Sequence, residues 1–382
     1  MLLLLLAAAL NGAAAATADV RVIRATAYVS PDGKLTRDAV LLVRDGVIVN
    51  IGEAPADVPV DAYERAIVSP GLVDLMSSLT AVGQLGETAE AIQAQARAGD
   101  SLDRFDRHLR QALEAGVTSF VLAPDDRNLI GGRVAVCSTH VPAKDAKFVT
   151  DSGPMKLSLS PAVLASDREP TSRAGAISLL RSTLAAAAKG ERLLGRSAGT
   201  TIEITPPLVE FAKGGISGIA TAPTGADVST LLAMAGEFKL KLAFVHNDDA
   251  REIGAELAKA GAPVIAGPYD LSASPRTASA AGIFEKAGAK VAVAGGLPWQ
   301  AADGLRLSAA VAVRNGMSPD AARRAITSVP AEILGLSGRI GSIAKGARAD
   351  LVVFSGDPLD LRSRVIAVYV GGVRVYSAPA GD

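Results

Sequence analysis

The sequence AREIGAELAKAGAPVIA, residues 250–266, holds one complete helix-to-strand unit. Apolar residues at helical spacing over Ala250–Ala260 predict a helix, and the apolar run Ala262–Ala266 predicts a strand. Gly261 supplies the left-handed conformation that ends a helix and returns the chain to a strand. Because the same transition recurs along the chain, we expect repeated β-α units and a parallel sheet. The other two transitions are Glu114-Ala115-Gly116-Val117 and Lys286-Ala287-Gly288-Ala289.

Eight strand candidates alternate with helical segments through the middle of the chain. Eight parallel strands are enough for an α/β fold of the closed (β/α)8, TIM-like type, and an open doubly wound sheet is the alternative. No glycine-rich dinucleotide or P-loop motif opens any of the helices, so neither site is expected. The strand candidates are Ala66–Val73, Val117–Ala123, Met155–Leu159, Thr200–Ile204, Ile216–Thr221, Lys241–His246, Ala262–Ala266 and Lys290–Ala294.

Both ends of the chain are rich in short strands. Val20–Ile51 alternates in polarity and is broken by turn residues at Ser30-Pro31-Asp32-Gly33, which is typical of hairpins. Strands of the same character are predicted within residues 350–376. We therefore expect a small composite β-sandwich of residues 19–69 and 340–382 around a barrel of residues 70–339.

The first 18 residues have the character of a secretory signal. An apolar run from Leu2 to Leu10 precedes the small residues Ala16-Thr17-Ala18, a spacing typical of a cleavage site. The run is too short to cross about 30 Å of hydrocarbon, so no stable membrane span is expected. The chain is therefore predicted to be exported to the periplasm or the extracellular side. An early start codon or a buried helix is the alternative.

Composition narrows the classes of function. Hydrophobic residues make up 49% of the chain and charged residues 20%, a globular profile rather than a disordered one. The 39 basic and 39 acidic residues balance, and no basic block appears, so nucleic-acid binding is not expected. The single cysteine, Cys137, excludes an internal disulfide. Only three histidines are present, at positions 108, 140 and 246.

Two long motifs resemble the amidohydrolase superfamily, and within it the imidazolonepropionase-related branch. They are VSPGLVD at residues 68–74 and GRIGSIAKGARADLVVF at residues 338–354. The resemblance implies a barrel with a β-sandwich formed by both termini. It also implies a hydrolase acting on carbon–nitrogen bonds other than peptide bonds, with Zn²⁺ or another divalent ion activating a water molecule.

The metal ligands that this resemblance implies are mostly absent. The family pattern places two histidines after the first strand, where this chain has Met76 and Ser78. Thr221 stands at the histidine position of the fifth strand, and Gly296 at the aspartate position of the eighth. His246, at the end of the sixth strand, is the one ligand that the alignment retains. Since a catalytic zinc site needs about three protein ligands, we predict a degenerate site with no metal cofactor.

Other groups offer alternatives. His246, Asp248 and Asp249 could form a rebuilt catalytic site, with Asp270 nearby, or the aspartates could cap the following helix. Asp125, Asp126 and Arg127 follow the second strand and either bind a polar ligand or form a solvated loop. Cys137 and His140 lie three residues apart, as in a nucleophile–base pair, but within a predicted β-arm.

Two functional hypotheses follow. The first is a pseudoenzyme that binds a small molecule at the barrel mouth, or a partner such as an active paralogue or a second copy of the chain. The second is a hydrolase whose rebuilt site is centred on His246. Whether the chain is an enzyme stays open at this point.

Overall fold

The computed structural model describes residues 19–81, 83–140, 148–191, 193–194 and 201–379, and these form a mixed α/β fold. The predicted signal peptide, residues 1–18, lies outside them. The strands are β1 (Val20–Val29), β2 (Leu35–Arg44), β3 (Val47–Ile51), β4 (Val60–Pro70), β5 (Leu72–Ser77), β6 (Val117–Leu122), β7 (Ile130–Arg133), β8 (Ala135–Ser138), β9 (Phe148–Thr150), β10 (Met155–Ser158), β11 (Leu193–Leu194), β12 (Thr201–Ile202), β13 (Gly218–Thr221), β14 (Leu242–Val245), β15 (Val264–Ala266), β16 (Val291–Val293), β17 (Leu351–Phe354), β18 (Val365–Val370) and β19 (Val373–Ser377).

Helices connect most of the central strands. Two short 3₁₀ helices cover Ala98–Ser101 and Pro161–Val163. The α-helices are α1 (His108–Glu114), α2 (Arg173–Lys189), α3 (Pro206–Ala212), α4 (Gly225–Phe238), α5 (Ala250–Ala260), α6 (Pro275–Ala278), α7 (Ala280–Lys286), α8 (Gly304–Arg314), α9 (Pro319–Ala325) and α10 (Ser328–Ile333).

Strands from both ends of the chain share one seven-stranded sheet, in the order β19-β18-β17-β4-β1-β2-β3. β17 pairs antiparallel with the end of β4, so that Leu351 lies opposite Pro70. Gly71 then separates β4 from β5, and a Cβ atom at this position would lie 2.0 Å from Thr118 Oγ1. Because Gly71 has no side chain, the backbone can pass close to Thr118 as it runs from the terminal sheet into the central strands.

The central strands are parallel and lie in two sheets. β10, β13, β14, β15 and β16 run side by side in one, with β7 antiparallel at its edge. β5 and β6 are parallel neighbours in the other. β5 and β16, the end strands of the two sheets, approach each other. Gly295 N donates to Asp74 Oδ1 at 2.9 Å, and Ser78 N donates to the Leu297 carbonyl at 2.7 Å.

The prediction of eight parallel strands is wrong at one place. Residues 201–202 pair antiparallel with residues 193–194 in a separate two-stranded sheet, and β10 pairs directly with β13. Seven of the eight predicted strands are therefore present as parallel central strands in the described part of the chain. Thr200 lies outside the described residues. Residues 201–204 have strand-forming side chains, but the long-range pairing that would place them between β10 and β13 does not form.

The parallel strands bury both faces. Inward residues, among them Val73, Val121, Ile219 and Ile265, pack with residues of α10 in one cluster. Strand residues whose side chains point to the other face pack against the surrounding helices in a larger cluster. The predicted glycine transitions are confirmed, since Gly116, Gly261 and Gly288 have φ values of +91°, +64° and +89°. Within the described residues, no helix is long and apolar enough to cross a membrane.

Candidate functional site

A cavity of about 530 Å³ opens at the carboxyl ends of the parallel strands. This volume is in the range of small-molecule sites, and active sites of β/α barrels lie at this edge of the strands. Residues within the parallel strands, and residues of the loops that follow them, line the cavity, which we call the mouth cavity. They include Met76, Ser78, Asp125, Asp126, Arg127, Lys156, Thr221, Val245 and Gly296.

The main polar group of the mouth cavity is Lys156, which the sequence analysis did not single out. Lys156 lies in β10 and is only 7% exposed. Its Nζ donates to Asp126 Oδ1, to Thr221 Oγ1 at 2.9 Å and to the Leu157 carbonyl at 3.1 Å. All three donors of the ammonium group therefore have partners, and one of them is a carboxylate. The signal that could have revealed it is a single charged residue within an apolar strand.

Asp126 balances the charge of Lys156. Burial by itself raises the pKa of Asp126, but the Lys156 charge and hydrogen bonds from Lys156, Thr221 and Ser158 lower it by more, so the net pKa lies below its usual value. Asp126 is thus held ionised beside the ammonium. Residues 125–127 follow β6 in a partly exposed loop at the mouth, as expected, and within this loop Asp126 forms an ion pair with Lys156.

The residues at the implied metal positions do line the mouth cavity, but they do not fit a divalent ion. Met76 supplies a thioether and Ser78 a hydroxyl, whose buried oxygen has no hydrogen-bond partner. The Thr221 hydroxyl already accepts a hydrogen bond from Lys156. At Gly296 there is no side chain, and a Cβ there would lie 2.9 Å from Pro268. Among the described residues, no three His, Cys, Asp or Glu side chains lie close enough to hold a metal.

His246 does not face the mouth cavity. Successive strand residues alternate between faces, and Ala243 and Val245 of β14 belong to the inward cluster. The next residue, His246, therefore turns toward the helices, where it is 3% exposed and its ring meets Phe284 edge-on at 6.3 Å. Its Nδ1 donates to the Ala222 carbonyl at 2.5 Å, and its buried Nε2 has no partner. The residue that reaches the cavity at this position is Val245, and His246, the ligand that the alignment retained, lies outside the cavity lining.

The predicted cluster of His246, Asp248 and Asp249 does not form. Asp249 accepts hydrogen bonds from Gly225 N at 2.9 Å and from Arg276 at 2.9 Å, whereas Asp248 is exposed. Although Asp249 immediately precedes α5, its side chain makes no capping hydrogen bond there, because it reaches the start of α4 instead. Asp270 is engaged locally, accepting from the backbone and hydroxyl of Ser272.

Asp74, two residues before Met76, is a buried carboxyl beneath the mouth. Its Oδ1 accepts from Gly295 N at 2.9 Å and from Met76 N at 3.1 Å, while Oδ2 is buried without a partner. Burial raises the pKa of Asp74 to about 6, although backbone N–H groups act in the opposite direction. Asp74 therefore links β5 to the residues that follow β16, and its burial disfavours the ionised form of the carboxyl group.

Cys137 lies within β8 and is fully buried. Burial raises the pKa of its thiol to about 12, which keeps the thiol protonated near neutral pH. The geometry therefore gives no support to a nucleophile formed by Cys137 and His140.

Comparisons with known proteins agree with the fold. A sequence model of the Amidohydrolase family matches residues 255–376. The solved structure of an amidohydrolase from Thermotoga maritima MSB8 is 25% identical, with a TM-score of 0.80, over 94% of this chain and 100% of that one. The A. niger ochratoxinase structure is 19% identical, with a TM-score of 0.56, over 95% and 96% of the two chains, and supports the fold alone.

A curated relative matches a shorter segment. Amidohydrolase tasK of Hapsidospora irregularis is 34% identical over 73 residues, which are 19% of this chain and only 7% of that protein's length. The family match covers about a third of the chain, and the structural likeness covers nearly all of it. Residues 255–376 therefore match the Amidohydrolase family, and the chain as a whole has structural neighbours in the amidohydrolase superfamily.

Proposed function

We propose that the protein is a metal-independent member of the superfamily, which binds a small organic molecule in the mouth cavity and has lost metal-dependent hydrolysis. The observation that carries this proposal is the set of side chains at the implied metal positions. Met76, Ser78, Thr221 and Gly296 line the cavity with one thioether, two hydroxyls and no carboxylate or imidazole.

The ammonium group of Lys156 adds a second argument. It donates to Thr221 Oγ1 at 2.9 Å, so a divalent ion bound to this hydroxyl would lie within roughly 5 Å of Nζ. At an effective dielectric constant of about 20, the repulsion between the two cations amounts to roughly 7 kcal/mol. Asp126 binds Lys156 directly, so the charge of this carboxylate is already balanced.

The same proposal covers the architecture and location. The contacts of Asp74 with Gly295 and of Ser78 with Leu297 favour a barrel closed between β5 and β16. We propose this closed barrel over residues 70–339, with residues 19–69 and 340–382 forming the composite β-sandwich. Export through a signal at residues 1–18, and placement in the imidazolonepropionase-related branch, rest on sequence pattern alone.

Metal analysis tests the proposal directly. The purified protein is dialysed against excess Zn²⁺, then against metal-free buffer, and its zinc content is measured beside that of a Met76→Ala/Ser78→Ala double variant. We expect both proteins to retain far less than one ion per chain, in equal amounts. One firmly held ion per chain that the double variant lacks would refute the proposal.

A further inference from the structure

We infer that the mouth cavity selects an uncharged, largely apolar molecule that carries a neutral polar group such as a hydroxyl. This inference rests on the proposed function, because a bound metal ion would change the charge of the cavity. Four features of the described residues support it: the apolar inner wall, the balanced charges, the kind of polar group left free and the tryptophan at the rim.

The inner wall of the mouth cavity is apolar. Leu75, Met76, Val121, Ile219 and Val245 line it, from β5 and β6 of one sheet and β13 and β14 of the other. Burial of apolar ligand surface against such side chains is favourable by about 25 cal/mol per Å². The wall therefore favours a ligand whose buried end is a hydrocarbon or an aromatic ring.

The charges on the cavity wall are paired. Lys156 is bound to Asp126, and Arg127 lies beside Asp125 with Nε 3.7 Å from Oδ2. The charged lining residues are these two cations and two carboxylates, so their formal sum is zero. A charged ligand would lose its hydration on entering and would find no uncompensated partner. An uncharged ligand avoids that cost.

Polar groups of both kinds remain around the cavity. Lys156 has used all three of its donors on Asp126, Thr221 and Leu157, so it has none to offer a ligand. The carboxylate of Asp126 can accept a further bond, and the amide of Gln300 and the indole N–H of Trp299 belong to the lining. The ligand is therefore expected to carry a neutral polar group, such as a hydroxyl, that can both donate and accept.

Trp299 lies at the rim of the mouth cavity and is 86% exposed. A planar aromatic face beside an apolar cavity favours an aromatic ligand, since offset stacking adds about 1 kcal/mol to area burial. Trp299 is also the only tryptophan of the chain, so intrinsic tryptophan fluorescence reports from this rim alone.

Three probes of nearly equal shape test the charge preference: phenethyl alcohol, phenylacetate and phenethylamine, which are neutral, anionic and cationic near neutral pH. Binding is measured by tryptophan fluorescence and by titration calorimetry. We expect the alcohol to bind at least about tenfold more tightly than either ion, because a charge gains nothing from the paired wall. Equal or tighter binding of either ion overturns the inference, and so does the failure of all three to bind.

Variants of the ion pair make the test sharper. Asp126→Asn leaves Lys156 uncompensated and should shift the preference by at least about tenfold toward phenylacetate, whereas Lys156→Met should shift it toward phenethylamine. The matched control is Lys290→Met, which removes a lysine paired with Glu332 at the opposite ends of the strands and should leave the ranking unchanged. If the ranking is the same in all variants, Lys156 and Asp126 do not set the selectivity and the inference fails.

The two proposals can fail separately. Firmly bound zinc would overturn the metal-independent function whatever the probes show. A metal-free protein that prefers a charged probe would overturn only the assignment of the ligand class.

Discussion

Replacement of Asp74 by Asn should change how the stability of the protein depends on pH. Asp74 is fully buried, and its pKa is about 6 in the folded protein against 3.8 for an ordinary aspartate. The folded state thus binds this proton more tightly than the unfolded state does. The contribution to stability is fully present below pH 3.8 and is lost as the pH rises through about 6.

The size of the effect follows from the shift. The difference between 3.8 and about 6 corresponds to about 3 kcal/mol of free energy of unfolding. Asparagine has nearly the same shape, still accepts from Gly295 N and Met76 N, and does not titrate. Relative to the native protein, Asp74→Asn should therefore gain about 3 kcal/mol between about pH 4 and about pH 8.

The assay is urea unfolding of both proteins at a series of pH values, compared as differences at each pH. Asp106→Asn is the matched control with the opposite sign. Burial raises the pKa of Asp106, but hydrogen bonds from His108 and Thr80 lower it by more, so this variant should lose stability relative to the native protein as the pH rises. A pH-independent difference for Asp74→Asn, or one with the sign of the control, would refute the reasoning.

Three further predictions concern packing, reactivity and a buried ion pair. Gly295→Ala should lower the free energy of unfolding by about 2 kcal/mol, because its Cβ would lie 2.8 Å from Asp74 Oδ2. The control Gly236→Ala, at an exposed position, should raise it by about 0.5–1 kcal/mol. The midpoints of urea unfolding distinguish the two variants. Cys137 should resist a thiol reagent in the native protein and react once urea unfolds it; rapid native labelling would contradict its burial. Arg323→Met should lower the free energy of unfolding by about 3 kcal/mol, because buried Arg323 binds Asp357 and the Gly33 carbonyl. The exposed control Arg362→Met should change it by less than about 0.5 kcal/mol in the same assay.

Much of the fold could be predicted from the sequence because the signals are local. The bounds of α5 agree with the predicted Ala250–Ala260, and glycines occupy the left-handed positions that precede three of the strands. Hairpin turns near both termini indicated strands, and both termini do contribute to one sheet. Resemblance then identified the superfamily from two motifs, at residues 68–74 and 338–354.

The site was predicted less well, because it depends on which way each strand residue faces. The cavity positions of Met76, Ser78, Thr221 and Gly296 were reached by alignment. At the end of β14, Val245 faces the cavity, whereas the next residue, His246, faces the helix layer. An alignment that is off by one residue here therefore assigns the histidine to the wrong face of the strand. The sequence offers no local signal that reveals such a shift.

The sequence by itself determined the repeated β-α units, the strand-rich ends and the scarcity of metal-binding side chains. Periodicity is a local pattern and composition is a simple count, so neither depends on long-range contacts. The tertiary structure alone decided that Asp126, Lys156 and Thr221 meet in the mouth cavity. They come from three different parts of the chain, and only the parallel pairing of β10 with β13, together with the loop after β6, brings the ammonium to the hydroxyl and the carboxylate. Contacts of that kind depend on long-range register, which is set by the packing of the whole core.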